Sequence, residues 1–252
     1  MREIKIVEKG SLEHQLIKCC RNGSPEDVRA LLDAGAAADA KMPTFDFDTD
    51  WEIFCGYSAV HIAAMNPDIR VIELLVGRGA DVNVTDVCGN TPLCCAAREN
   101  TLEMVRYLVS LGNDPLLENL NGDNLLTIAA CNPHKDVPEY FLRQGVDIEG
   151  VSDIVPLGEA MRYGTPADMD FFIAHGASME NALACVCQAA PPENIRHLLT
   201  KGCDVNAVFS PWDGERIDWT RLPDGPLRTL FLEFGAKSDE ELDREKRKDA
   251  MP

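Results

Sequence analysis

The sequence predicts an all-α solenoid of about seven helix–turn–helix repeats with short hairpin turns and degenerate terminal caps, on three observations. A glycine followed by a short tail recurs at 35, 79, 112, 145, 176, 202 and 235, at intervals of 44, 33, 33, 31, 26 and 33. A period near 33 residues is the mark of stacked repeats. Three and four residues before every glycine stand two apolar residues, from Leu31 and Leu32 to Phe231 and Leu232. Twenty-one residues before Gly79, Gly112 and Gly145 stand Ser58, Thr91 and Asn124, each opening a run that ends in Ala-Ala.

The second helix of each repeat follows from its apolar spacing. Val28, Ile72, Val105, Met169 and Ile195, seven residues upstream of their glycines, continue the stripe of one helix face, and Pro138 and Arg228 interrupt it. The glycine then stops the helix, because Gly adopts the left-handed conformation without a Cβ clash. The first helix follows from its start. Ser58, Thr91 and Asn124 are N-cap types, and Pro92 suits the first helical position. Ala63-Ala64, Ala96-Ala97 and Ala129-Ala130 let neighbouring helices approach closely.

Thr91-Pro92-Leu93, Ser58-Ala59-Val60-His61-Ile62-Ala63, the turn Asp86-Val87-Cys88-Gly89 and the endings Gly79-Ala-Asp-Val-Asn83 and Gly202-Cys-Asp-Val-Asn206 resemble the ankyrin repeat. The resemblance covers residues 12–237. Only the second repeat keeps the motif histidine, His61, whose family role is hydrogen bonding within and between turns. Repeats five to seven fit by period more than by motif. The implied organisation is an N-terminal extension over 1–11, the array over 12–237 and a polar C-terminal helix over 238–252, in which Ser238–Glu241 forms a capping box.

Composition narrows the function. The formal net charge of −18 argues against a nucleic-acid backbone or an anionic membrane as partner and leaves a basic protein open. No apolar run reaches 18 residues, and the first ten residues lack the apolar core of a secretory signal. Cys19, Cys20, Cys94, Cys95, Cys131, Cys185 and Cys187 fall on helix faces expected to be buried, which reads as reduced thiols in a cytoplasmic protein.

Departures from the period are informative. The 44-residue interval places an insertion at about 42–56 with Phe45, Phe47, Trp51 and Phe54 among Asp46, Asp48, Asp50 and Glu52. It reads either as a binding loop or as a cover for the first repeat. The Asp46-x-Asp48-x-Asp50 run is no calcium loop, since Trp51 and Tyr57 stand where Gly and Glu are required. The 26-residue interval implies a shortened turn at about 177–181. Trp212 and Trp219 read as plugs for the end of the core.

No chemistry-bearing constellation emerges. The histidines His14, His61, His134, His175 and His197 sit at no ligand spacing, and there is no phosphate loop, nucleophile elbow or zinc motif. The expectation is a non-enzymatic, monomeric protein-binding scaffold with no cofactor and no metal. The resemblance implies contacts at the turn tips and the exposed ends of first helices. Those positions are Met65 and Asn66; Thr85, Val87, Cys88, Asn90, Arg98 and Glu99; Glu118, Leu120, Asn121, Asp123 and Asn132; and Arg162 and Tyr163, with Phe45, Phe47 and Trp51 from the insertion. An acidic regulator masking a basic site on an enzyme or toxin, and a host-directed effector, are the alternatives.

Overall fold

Ser11, Ser24, Asp68, Asn124 and Thr165 cap their helices through the side chain, whereas Lys135, Val155, Pro191 and Gly225 precede theirs without such a bond. The computed structural model describes residues 10–42, 56–150, 154–186, 189–208 and 217–249, which fall into two units, 1–147 and 148–252. Among the described residues there are fourteen α-helices and no β-strand. The insertion residues Phe45, Phe47 and Trp51 lie outside the described residues, as does Trp212.

The first unit holds four helix pairs: α1 (Leu12–Asn22) with α2 (Pro25–Asp33), α3 (Ala59–Ala63) with α4 (Ile69–Gly77), α5 (Pro92–Glu99) with α6 (Leu102–Ser110), and α7 (Leu125–Ile128) with α8 (Asp136–Arg143). The first helices α1, α3, α5 and α7 pack in one row; among the second helices α2 packs on α4 and α6 on α8. Ser24 caps α2 through a reciprocal box with Asp27, and the Asn124 side chain accepts the Leu126 and Thr127 amides at the start of α7. Between first and second helices Leu16, Ile17, Val28, Ile72, Leu75, Leu93, Val105, Leu108 and Phe141 are shut off from solvent. Each such side chain contributes about 1.5–3 kcal/mol by leaving water. The first helices are short, down to four residues in α7, so packing holds them where their own propensity would not.

An asparagine ladder stitches this unit together. Asn66 Nδ2 donates to the carbonyls of Cys20 and Gly23, Asn100 Nδ2 to those of Ala64 and Asn66, and Asn132 Nδ2 to those of Ala97 and Asn100. Their Oδ1 atoms accept the Asp68, Thr101 and His134 amides. Each asparagine thus satisfies orphan carbonyls at the end of the preceding first helix and starts its own second helix.

The second unit holds α9 (Pro156–Tyr163), α10 (Pro166–Ala174), α11 (Met179–Val186), α12 (Pro192–Thr200), a 3₁₀ turn (Trp219–Arg221), α13 (Pro226–Glu233) and the polar α14 (Asp239–Asp249). Asn194 repeats the ladder toward the carbonyls of Met161 and Gly164. Residues 175–178 alone connect α10 to α11, where residues 111–124 connect α6 to α7. Trp219 stacks on Phe231 at 4.3 Å and donates its indole N–H to the Val205 carbonyl at 2.8 Å, closing this core. At the start of α14 the Ser238 amide donates to the Glu241 carboxylate at 2.8 Å.

The cysteines depart in part from the expected burial. Cys20, Cys94, Cys95 and Cys203 are buried, Cys19, Cys88 and Cys185 are half-buried, and Cys131 is exposed, because α7 ends at Ile128 and Cys131 falls in the loop beyond it. Burial pushes the Cys20 thiol up to about 12.

Candidate partner-binding surface

The turns between repeats of the first unit are built by a pair of short polar side chains at matching positions. Asp86 Oδ1 accepts the amides of Cys88 and Asn90, both at 2.8 Å, and Asn119 Oδ1 accepts those of Asn121 and Asp123, both at 2.9 Å. Each folds its turn locally. Asn119 Nδ2 then reaches Asn90 Oδ1 at 3.1 Å, and the Leu120 amide donates to the Cys88 carbonyl at 2.8 Å. Lys41 Nζ donates to the Thr85 carbonyl at 2.8 Å from the turn before. Three successive turns are therefore bonded into one edge.

Two glycines seat the apolar tips of that edge. A Cβ on Gly89 would lie 2.9 Å from Leu120 Cγ, and one on Gly56 would lie 3.1 Å from Val87 Cγ1. Both glycines also have positive φ, 79° and 81°. Each tip side chain rests on the glycine of the preceding turn, while Leu120 remains 78% and Val87 49% exposed. The sequence marks Val87 and Leu120 as contact candidates but gives no hint of their glycine seats.

Behind the turns lies a buried relay. His61 Nδ1 accepts the Ser58 amide at 3.1 Å, and its Nε2 meets the Asn90 carbonyl at 2.9 Å. The ring is stacked on Tyr57 at 5.0 Å. Desolvation drives the His61 pKa down to about 4. Burial, followed by the neighbouring Cys95, pushes the Tyr57 hydroxyl far above its ordinary range. This arrangement positions turns; it presents no reactive group to solvent.

The remaining expected contacts divide sharply. Thr85, Glu118 and Asn121 are exposed with Val87 and Leu120 on the same edge, Asp123 and Cys88 are half-buried there, and Arg98 at the end of α5, exposed overall, has its guanidinium bonded to the Tyr57 hydroxyl. Asn66, Asn90 and Asn132 are corrected: all three are buried, Asn66 and Asn132 in the ladder and Asn90 in the turn network, so their polar groups are already engaged. Met65 is buried as well, because the Arg21 guanidinium lies against its sulfur and extends to Glu99 at 2.7 Å. Glu99 is thereby tied within the fold. In the second unit Tyr163 is 67% exposed, and Arg162 sits 5.0 Å over its ring and within 3.7 Å of Glu159. Among the described residues no cluster of His, Cys, Asp and Glu could hold a metal ion.

The paired helices, glycine stops and bonded turns coincide with the segment that matches a family description. Residues 60–152 match "Ankyrin repeats (3 copies)". That segment carries the ankyrin match. Among curated proteins, the chain is similar to the B-cell lymphoma 3 protein homolog of Mus musculus, 26% identical over 129 residues, or 51% of this chain and 27% of that protein. It is similar to protein PhlB of Serratia liquefaciens, 34% identical over 128 residues, or 50% of this chain and 52% of that protein. It is also similar to protein phosphatase 1 regulatory subunit 27 of Mus musculus, 36% identical over 93 residues, or 36% of this chain and 59% of that protein. The chain thus spans less than two thirds of the length of each of these relatives. No described helix is long and apolar enough to cross a membrane.

Proposed function

We propose that this chain is a non-catalytic interaction protein that binds a protein partner through the turn edge of its first unit. Ankyrin repeats generally mediate protein–protein interaction, and the edge here is suited to that work. The observation that carries the reading is the pair of exposed aliphatic tips, Val87 and Leu120, held on glycine seats by a continuous hydrogen-bond network. Anchors that are already ordered lose little freedom on binding. Burying an aliphatic tip of this size contributes up to about 1.5–3 kcal/mol.

Affinity capture from the source cell with wild type and with the double variant Val87→Ser, Leu120→Ser tests the reading. Loss of the partner by a variant whose circular dichroism and melting are unchanged is the expected result; undiminished capture sinks it. A second reading is favoured by the relative named as a phosphatase regulatory subunit: the partner is an enzyme and the array regulates it. That reading requires the captured partner's activity to change when the purified chain is added back.

A further inference from the structure

We infer that the turn edge of the first unit takes a basic protein segment that inserts an aliphatic side chain between the Val87 and Leu120 tips. This rests on the edge being the binding surface, and adds the chemistry of what it binds. Two independent observations point to it.

The first is the apolar pair itself, which no other part of the described chain covers. The second is a one-sided charge on the same turns. Residues 35–42, 79–91, 112–124 and 145–147 contain Asp39, Asp81, Asp86, Asp114, Glu118, Asp123 and Asp147 but a single base, Lys41. Asp39, Asp81, Asp114, Glu118 and Asp147 are exposed, and Glu118 stands two residues from Leu120. Lys41 has its ammonium against the Thr85 carbonyl. The helices of this unit carry both signs, with exposed Arg29, Arg70, Arg106 and Arg143. The acidic bias therefore belongs to the turns and is more than a reflection of the overall charge.

An apolar pair carried on acidic turns selects its partner by two separable effects. Burial of the tips sets how long a complex lasts, while the exposed carboxylates accelerate encounter and reject acidic surfaces. A second copy of this chain is a poor occupant, since two chains of formal charge −18 repel and would bring the same carboxylates together.

The test uses the full chain and four short fluorescent peptides of one length, built from Lys and Leu, Glu and Leu, Lys and Ser, or Ser and Leu, followed by anisotropy at low and high NaCl. The Lys/Leu peptide is expected to bind at least about tenfold more tightly than the other three. Leu120→Ser is expected to weaken it about tenfold, and Glu118→Gln to lower its sensitivity to salt. Both positions are exposed, and unchanged melting of the variants confirms that they fold. If the Ser/Leu peptide binds as well as Lys/Leu and both need Leu120, the basic chemistry is wrong and the binding edge stands. If Lys/Leu binds regardless of Leu120, the edge itself is wrong. Absence of Lys/Leu binding overturns the inference, and so does a wild-type dimer in sedimentation that Leu120→Ser abolishes.

Discussion

At His61 two hydrogen bonds fix both the tautomer and the charge. Nδ1 accepts an amide N–H from Ser58, so the proton sits on Nε2 and is donated to Asn90. A second proton would have to enter at Nδ1, against a donor, in a buried site. Burial, which disfavours the charged ring and outweighs the bond to the Asn90 carbonyl, lowers the native pKa from 6.5 to about 4. A depressed histidine stabilises the fold above its unfolded pKa. That contribution is lost as pH falls from 6.5 toward 4, because only the unfolded chain takes up the proton in this window. At about 1.36 kcal/mol per pH unit, the gap in unfolding free energy between wild type and His61→Gln is expected to narrow by about 2 kcal/mol from pH 7 to pH 5. Urea unfolding at the two pH values measures it, and a constant gap would refute the depressed pKa of His61. The motif suggested the bonding role of His61. No motif suggested that of Asn66 and Asn132, which look like free loop ends because a helical pattern does not say where a loop side chain points. A signal did exist: Asn66, Asn100 and Asn132 recur at 34 and 32 residues, close to the period of the glycines. Asn100→Ala removes bonds to two carbonyls and strands the Thr101 amide. A cost of about 2–3 kcal/mol in chemical denaturation is expected, against a few tenths for an exposed change such as Asn121→Ala.

For a turn as an element, sequence shows the polar residues that fold it but not the neighbour that will rest on it. Asp86-Val-Cys-Gly89 announces a turn, and Gly89 has the positive φ that turn chemistry requires. The contact of Gly89 with Leu120 spans 31 positions and becomes visible only when two turns are stacked. Gly89→Ala therefore meets two penalties, a backbone conformation that Ala dislikes and a Cβ inside Leu120. Strain of about 1–3 kcal/mol is expected from the backbone. The functional effect should be larger than the stability effect, since the tip must move while the helices behind it need not. Hydrogen exchange that speeds at the Leu120 amide with unchanged protection in α5 and α6 would show this. Equal loosening of the helices would show instead that the turn and helix cores are one cooperative element. The short connection from α10 to α11, residues 175–178, is the converse case: a deletion alters spacing, and the interval from Gly176 to Gly202 is 26 residues.

At the scale of the whole chain, the glycine period carried the helical pairs because period, helix stop and apolar stripe all report the same packing. Its division into the units 1–147 and 148–252 left no such trace, since the interval across it, from Gly145 to Gly176, is an ordinary 31 residues. Charge is the other property that belongs to the molecule as a whole. Forty-two acidic residues face twenty-four basic ones. The ion pairs that offset this are mostly exposed, such as Arg196 with Glu233 at 3.0 Å and Lys201 with Asp170 at 2.7 Å. Exposed pairs contribute about 0–1 kcal/mol each, and salt weakens them. Salt also screens the repulsion among the unpaired excess of carboxylates, which destabilises any compact state. The two effects oppose each other, and the excess of −18 decides between them. Raising NaCl from about 10 mM, where the screening length is about 30 Å, to about 150 mM, where it is about 8 Å, is expected to raise the melting midpoint at pH 7.5. A variant that loses Arg196 should gain more from salt than wild type, because it adds one more uncompensated carboxylate, Glu233. A midpoint that falls on adding salt would mean that the surface pairs, and not the net charge, govern the stability of this array.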